Sequence, residues 1–117
     1  MSKQFLKVDQ SGDVAVVTFL VKRILDEPTI QAIAEQLFSL IEQDGNRKLL
    51  LNFTGVEYMS SAALGKLINL HKKVTSLQGK LAMCAVIPQI YEVFAITKLD
   101  KIFKIFPDED AAMAFLK

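Results

Sequence analysis

Leu49-Leu50-Leu51-Asn52-Phe53-Thr54-Gly55-Val56-Glu57-Tyr58-Met59-Ser60-Ser61-Ala62-Ala63-Leu64-Gly65 changes its period part-way along. Leu49-Leu50-Leu51 with Phe53 is a short continuous apolar run, the pattern of a strand buried on both faces of a parallel sheet. A short loop follows. From Ser60 or Ser61 to Gln78 the spacing is helical. Ala63, Leu67, Leu70, Val74 and Leu77 step by four, three, four and three, so they share one face. Gly79 is the expected stop. Strand, loop, helix with serines at its entry is the unit around which the rest of the chain is read.

Upstream, Asp26 and Glu27 put negative charge at a helix start and Pro28 suits its first turn. Ile30, Ile33, Ala34, Leu37, Leu40 and Ile41 form its apolar stripe, and Asp44-Gly45-Asn46 ends it. Before that helix, Gln4–Asp9 alternates, with Leu6 and Val8 on one side, and Val14–Val21 is rich in β-branched residues. The turn Gln10-Ser11-Gly12-Asp13 between them predicts a hairpin. Downstream, Leu81–Val86 reads as another buried strand. Pro88 opens a third helix with Ile90, Val93 and Phe94 inward. Ile102–Phe106 reads as an edge strand because Lys104 interrupts it. Asp108 caps a last helix, packed down by Ala111, Ala112, Phe115 and Leu116. The order β-β-α-β-α-β-α-β-α predicts an α/β fold: a mixed sheet of four or five strands, right-handed crossovers, and about four helices packed mainly on one face.

The 117 residues fit one domain. With 51% apolar and 23% charged residues the composition is globular, which excludes a disordered chain. Net charge is +1 and no run of Lys and Arg marks a nucleic-acid or membrane patch. His71-Lys72-Lys73, the densest basic spot, reads as a solvated helix face. The lone Cys84 allows no internal disulfide and points to a reducing compartment. No leader-like apolar block precedes residue 15 and no apolar run reaches membrane-spanning length, so the expectation is a soluble, cytoplasmic protein.

One histidine excludes a site needing two imidazoles, and one cysteine excludes paired-thiol zinc sites. There is no GxGxxG and no P-loop. His71 borders the apolar stripe of the second helix and reads as a half-buried helix residue. Cys84, inside Leu81–Val86, reads as an inert strand thiol. That leaves the two serines. A helix start following a buried strand favours an anion, including a phosphate carried by a serine. Serine is equally a good N-cap, and plain capping accounts for the residue type by itself.

Tyr58-Met59-Ser60-Ser61-Ala62-Ala63-Leu64-Gly65 resembles the signature of the STAS domain family, in particular the bacterial anti-sigma-factor antagonists. That signature runs aromatic, apolar, Asp-Ser, small residue, Gly-Leu-Gly, then helix. The segment from Ile96 to Ala112 also resembles the family's last helix–strand–helix, so the resemblance spans nearly the whole chain as a single domain, 1–117. It implies that Ser61 accepts phosphate from a switch kinase that is itself the anti-sigma factor, and that a serine phosphatase reverses this. It implies a partner surface including Asp26, Met59, Ser60, Ala62 and Leu64, a non-enzymatic role, and no cofactor, metal or nucleic acid. Ser60 stands where the family has aspartate and Ala63 where it has glycine. A second expectation is therefore an interaction or scaffold module that is never phosphorylated, for example in a transport complex. A small enzyme with an unusual site is the third.

Overall fold

In the computed structural model, which describes residues 5–117, the β-branched and alternating segments pair into a five-stranded mixed sheet. Strands β1 (Leu6–Ser11) and β2 (Val14–Phe19) form the hairpin; Gln4, the expected first strand residue, lies outside the described residues. Only Gly12 and Asp13 lie between the paired strand ends, and Gly12 takes φ +61, the conformation glycine adopts without steric cost. Strands β4 (Lys48–Asn52), β6 (Lys80–Cys84) and β7 (Lys104–Phe106) join in parallel, in the order β1-β2-β4-β6-β7. The crossovers are helices: α1 (Glu27–Glu42), α2 (Ser61–Ser76) and α3 (Pro88–Ile96), with α4 (Glu109–Leu116) closing the chain.

Strand alternation sorts the sheet into two faces. Ala15, Val17, Phe19, Leu49, Leu51, Leu81 and Met83 pack with the stripes of α1, α2 and α3. Val14, Val16, Leu50, Ala82 and Cys84 pack with Ala112 and Leu116 of α4. The expected arrangement, helices mainly on one face of a five-stranded sheet, is the one observed, with α4 on the other face.

Four local expectations are corrected. First, Leu77 is 37% exposed and lies beyond α2, because the chain tightens there: the N–H groups of Leu77 and Gly79 both donate to the Val74 carbonyl. The left-handed residue at this helix end is Gln78 (φ 62), not Gly79. Gly79 is required for space instead, since a Cβ would overlap the Arg47 carbonyl oxygen. Second, Val93 is 37% exposed, because nine-residue α3 turns only Ile90 and Phe94 inward. Third, Val8 is exposed although it shares a side with buried Leu6, and β2 ends at Phe19 rather than Val21. Fourth, Ile102 is not in β7: a 3₁₀ turn at Leu99–Lys101 precedes that strand and sends Phe103 into the core instead. A second, two-stranded sheet has no counterpart among the expected elements.

Candidate functional site

Two short strands, β3 (Arg23–Ile24) and β5 (Tyr58–Met59), pair in parallel, Arg23 with Tyr58 and Ile24 with Met59. The N–H groups of Glu57 and Tyr58 both donate to the Lys22 carbonyl, at 2.8 and 3.1 Å, and the Ser60 N–H donates to the Ile24 carbonyl at 3.1 Å. Each of these strands leads directly into a helix cap, Asp26 for α1 and Ser60 for α2. The ribbon therefore holds two helix N-termini side by side, so that Asp26, Met59, Ser60, Ser61 and Ala62 are brought to one end of the molecule.

The two serines divide their work. Ser60 has extended backbone (φ −86, ψ 166), and its Oγ accepts the Ala63 N–H at 3.2 Å, an N-cap bond. Ser61 is the first helical residue and is exposed, and its hydroxyl makes no hydrogen bond to any described residue. The first turn of α2 contains no acidic side chain, so the partial positive charge of its N-terminus is unopposed there. The first turn of α1 contrasts: it carries Glu27, and the Asp26 carboxylate accepts from the Thr29 N–H at 3.1 Å and the Thr29 hydroxyl at 2.8 Å.

Beside Ser61 the surface is apolar. Tyr58 and Leu25 are 49% and 47% exposed, and the Arg23 guanidinium lies 5.1 Å from the centroid of the Tyr58 ring. Tyr58, Met59, Leu64, Ile87, Ile90 and Val93 line a groove of about 600 Å³ between the ribbon and α3. Leu64 is 7% exposed and forms the groove's floor, not its rim. Ala63 is 5% exposed and packs into the main core, so a Cβ fits here where the family signature has glycine. Leu25, Arg23 and the α3 residues were not legible as site residues. Tyr58 stands in the motif, but nothing in the sequence marks its side chain as exposed.

The other chemically distinctive residues lie elsewhere. His71 sits in the later half of α2, edge-on to Phe103 at 5.5 Å between ring centroids. Its Nδ1 is buried without a partner, and burial holds its pKa below the usual imidazole range. Cys84 is fully buried. Desolvation, with smaller contributions from Glu109 and Asp108, pushes its thiol up to about 11. Among the described residues no three His, Cys, Asp or Glu side chains converge in a way that could hold a metal ion, and no helix is long and apolar enough to cross a membrane.

The sequence model of the STAS domain matches residues 6–112. The chain belongs to the STAS domain family. It is 30% identical over 91 residues to a Thermotoga neapolitana protein named as a candidate anti-sigma factor antagonist, covering 78% of this chain and 80% of that one. It is 25% identical over 93 residues to the anti-sigma F factor antagonist of Paenibacillus polymyxa, covering 80% of each. Its STAS fold superposes on the Bacillus cell fate determinant SpoIIAA in the phosphorylated form with a TM-score of 0.74, at 16% identity, over 96% of this chain and 99% of that one.

Proposed function

We propose that this STAS domain, taken as the single domain of the chain, is an anti-sigma-factor antagonist: a cytoplasmic, protein-binding regulator switched by phosphorylation of Ser61. The observation that carries the switch is the exposed, unbonded Ser61 hydroxyl at a helix N-terminus with no acidic residue in its first turn. The names of the relatives support the partner class, an anti-sigma factor. The reaction belongs to the partner's active site if that partner is also the kinase, and this chain contributes only the hydroxyl. A serine phosphatase would complete the cycle, and no cofactor is needed here.

A phosphate adds roughly −1.5 to −2 charges, enough to reverse a net charge of +1. The helix N-terminus accommodates that charge within this chain. A partner packed over Leu25, Tyr58, Met59 and Ala62 would have to bury it, and the desolvation cost weakens the complex. Ser60 keeps the cap that aspartate would make, because the two are comparable N-caps, but supplies no fixed negative charge. That missing carboxylate favours a second reading, the unphosphorylated interaction module.

The test is incubation of the purified chain with ATP and candidate kinases, with the phosphosite mapped by mass spectrometry. Label on Ser61, abolished in Ser61→Ala, with weaker kinase binding by Ser61→Asp, is the expected outcome. Label on Ser60 alone would move the acceptor by one residue. Binding without label on either serine selects the unswitched module.

A further inference from the structure

We propose that strand β1 is a self-pairing edge, joining two copies of this chain antiparallel about Val8 into one continuous sheet. β1 ends the strand order, and among the described residues no strand pairs with its outer side. The ladder on its inner side sets which backbone groups face out. The Leu20 N–H donates to the Phe5 carbonyl at 2.8 Å, so Phe5 opposite Leu20 is a hydrogen-bonded pair. Bonded and unbonded pairs alternate along an antiparallel ladder. Lys7 opposite Thr18, Asp9 opposite Val16 and Ser11 opposite Val14 are therefore bonded pairs, and Val8 opposite Val17 is not. The N–H and C=O of Val8 point away from β2, to the outer edge.

The side chains flanking Val8 then select the partner. Lys7 and Asp9 share one face, their charged groups 3.8 Å apart and about 60% exposed. In a two-fold pair centred on Val8, the two Val8 residues exchange both hydrogen bonds. Lys7 then falls opposite Asp9 of the partner subunit, and Asp9 opposite Lys7 of the partner subunit. These are unbonded pairs, where facing side chains come closest, and opposite charges there stabilise the ladder. The other registers lack this match. Parallel in-register pairing sets Lys7 on Lys7 and Asp9 on Asp9, and two-fold pairing centred on either residue also opposes like charges. Centring on Gln10 leaves Asp9 facing Ser11. A single edge charge commonly guards against association; this pair opposes like charges in the parallel register and in those centred on Lys7 and Asp9, gains nothing from centring on Gln10, and matches opposite charges within the strand in the one about Val8.

The opposite face of the strand is compatible. Val8, 41% exposed, opens onto a groove beside α1 that also contains Phe38 and Leu40. The acids on that rim are already engaged, Glu35 by the Gln31 amide at 3.2 Å and Glu42 by Lys73 at 3.5 Å. None of the pairing residues belongs to the Ser61 surface.

Sedimentation equilibrium of the full chain at low salt, from micromolar to about millimolar concentration, tests the idea. A pairing of two short strands is a small interface, so dimerisation in the upper micromolar range is expected. Asp9→Lys and Lys7→Asp should each weaken it by at least about tenfold, by setting like charges opposite one another. The double variant Lys7→Asp/Asp9→Lys should restore it, and the two single variants mixed together should form the heterodimer. Thermal melts confirm that each variant is folded, and amide exchange at Val8 should slow as the concentration of the parent chain rises. A chain monomeric at about 1 mM, or a dimer indifferent to these charge changes, overturns the proposal.

Discussion

Replacing Ser60 with alanine and Ser61 with alanine should separate two hydroxyls that are neighbours in sequence but not in function. The Ser60 Oγ accepts the Ala63 N–H at 3.2 Å, and among the described residues that N–H has no other acceptor. Removing an N-cap serine costs about 0.5–2 kcal/mol. Nothing in the first turn of α2 softens the loss, because that turn has no acidic side chain. At about 2.1 cal/mol/K per residue, unfolding a chain of this length carries an entropy near 0.25 kcal/mol/K, so each kcal/mol moves Tm by about 4 °C. Ser60→Ala should therefore melt some 2–8 °C below the parent. Ser61→Ala places a strong helix former at an exposed first helical position and should stay within about 0.5 kcal/mol. Ser60→Asp should keep the cap and gain about 0.3–1 kcal/mol from the helix dipole. Calorimetry on the three variants decides it. If Ser61→Ala is the destabilised variant and Ser60→Ala melts with the parent, the helix begins one residue later and the division of roles is wrong.

Other residues give independent checks. Leu67→Ala removes a side chain only 4% exposed and should cost about 2–5 kcal/mol in chemical denaturation. Lys73→Ala breaks only the surface pair with Glu42 and should cost no more than about 0.5 kcal/mol. Gln78→Gly should stabilise by about 0.5–1 kcal/mol, because Gln78 is exposed and holds φ 62 at a helix end that favours glycine. His71 has a folded-state pKa below its unfolded value, so the folded state binds fewer protons. Its contribution to stability is complete above the unfolded value near 6.5 and is lost as pH falls through the folded value. Denaturation between pH 7.5 and 5 should show stability falling, and His71→Gln should flatten that slope.

The sheet and its helices were legible because their signals are long. Six apolar positions at helical spacing leave α1 no other reading, and the Leu49–Leu51 run has no polar face to expose. Errors fell where periodicity is carried past the end of an element. Leu77 fits the α2 stripe in spacing, but the hydrogen bonds to Val74 close the helix before the spacing applies. Ile102 fits a strand in composition, but the 3₁₀ turn before β7 gives the core position to Phe103 instead. The ribbon of β3 and β5 was out of reach for a different reason. Two residues carry no period, and the pairing of Arg23 with Tyr58 spans the whole of α1 and β4. The Ser61 surface was thus half visible: the serines could be read from type and position, whereas Leu25 and Arg23 belong to it only because the ribbon brings them there.

That ribbon also bears on why a switch at Ser61 would leave the fold intact. Had the acceptor been Ser60, the modified oxygen would be the one that receives the Ala63 N–H, and the residue's own N–H is tied to Ile24 across the ribbon. Phosphate there would perturb the α2 cap, at the residue whose backbone also anchors the ribbon. At Ser61 the hydroxyl takes part in neither, so the added charge meets only solvent, the helix N-terminus and whatever protein docks beside it. Phosphorylated chain should consequently melt within a few degrees of the unmodified chain while losing affinity for its partner. A large drop in Tm on modification, matching that of Ser60→Ala, would mean that the phosphate sits on the capping oxygen and acts by loosening α2.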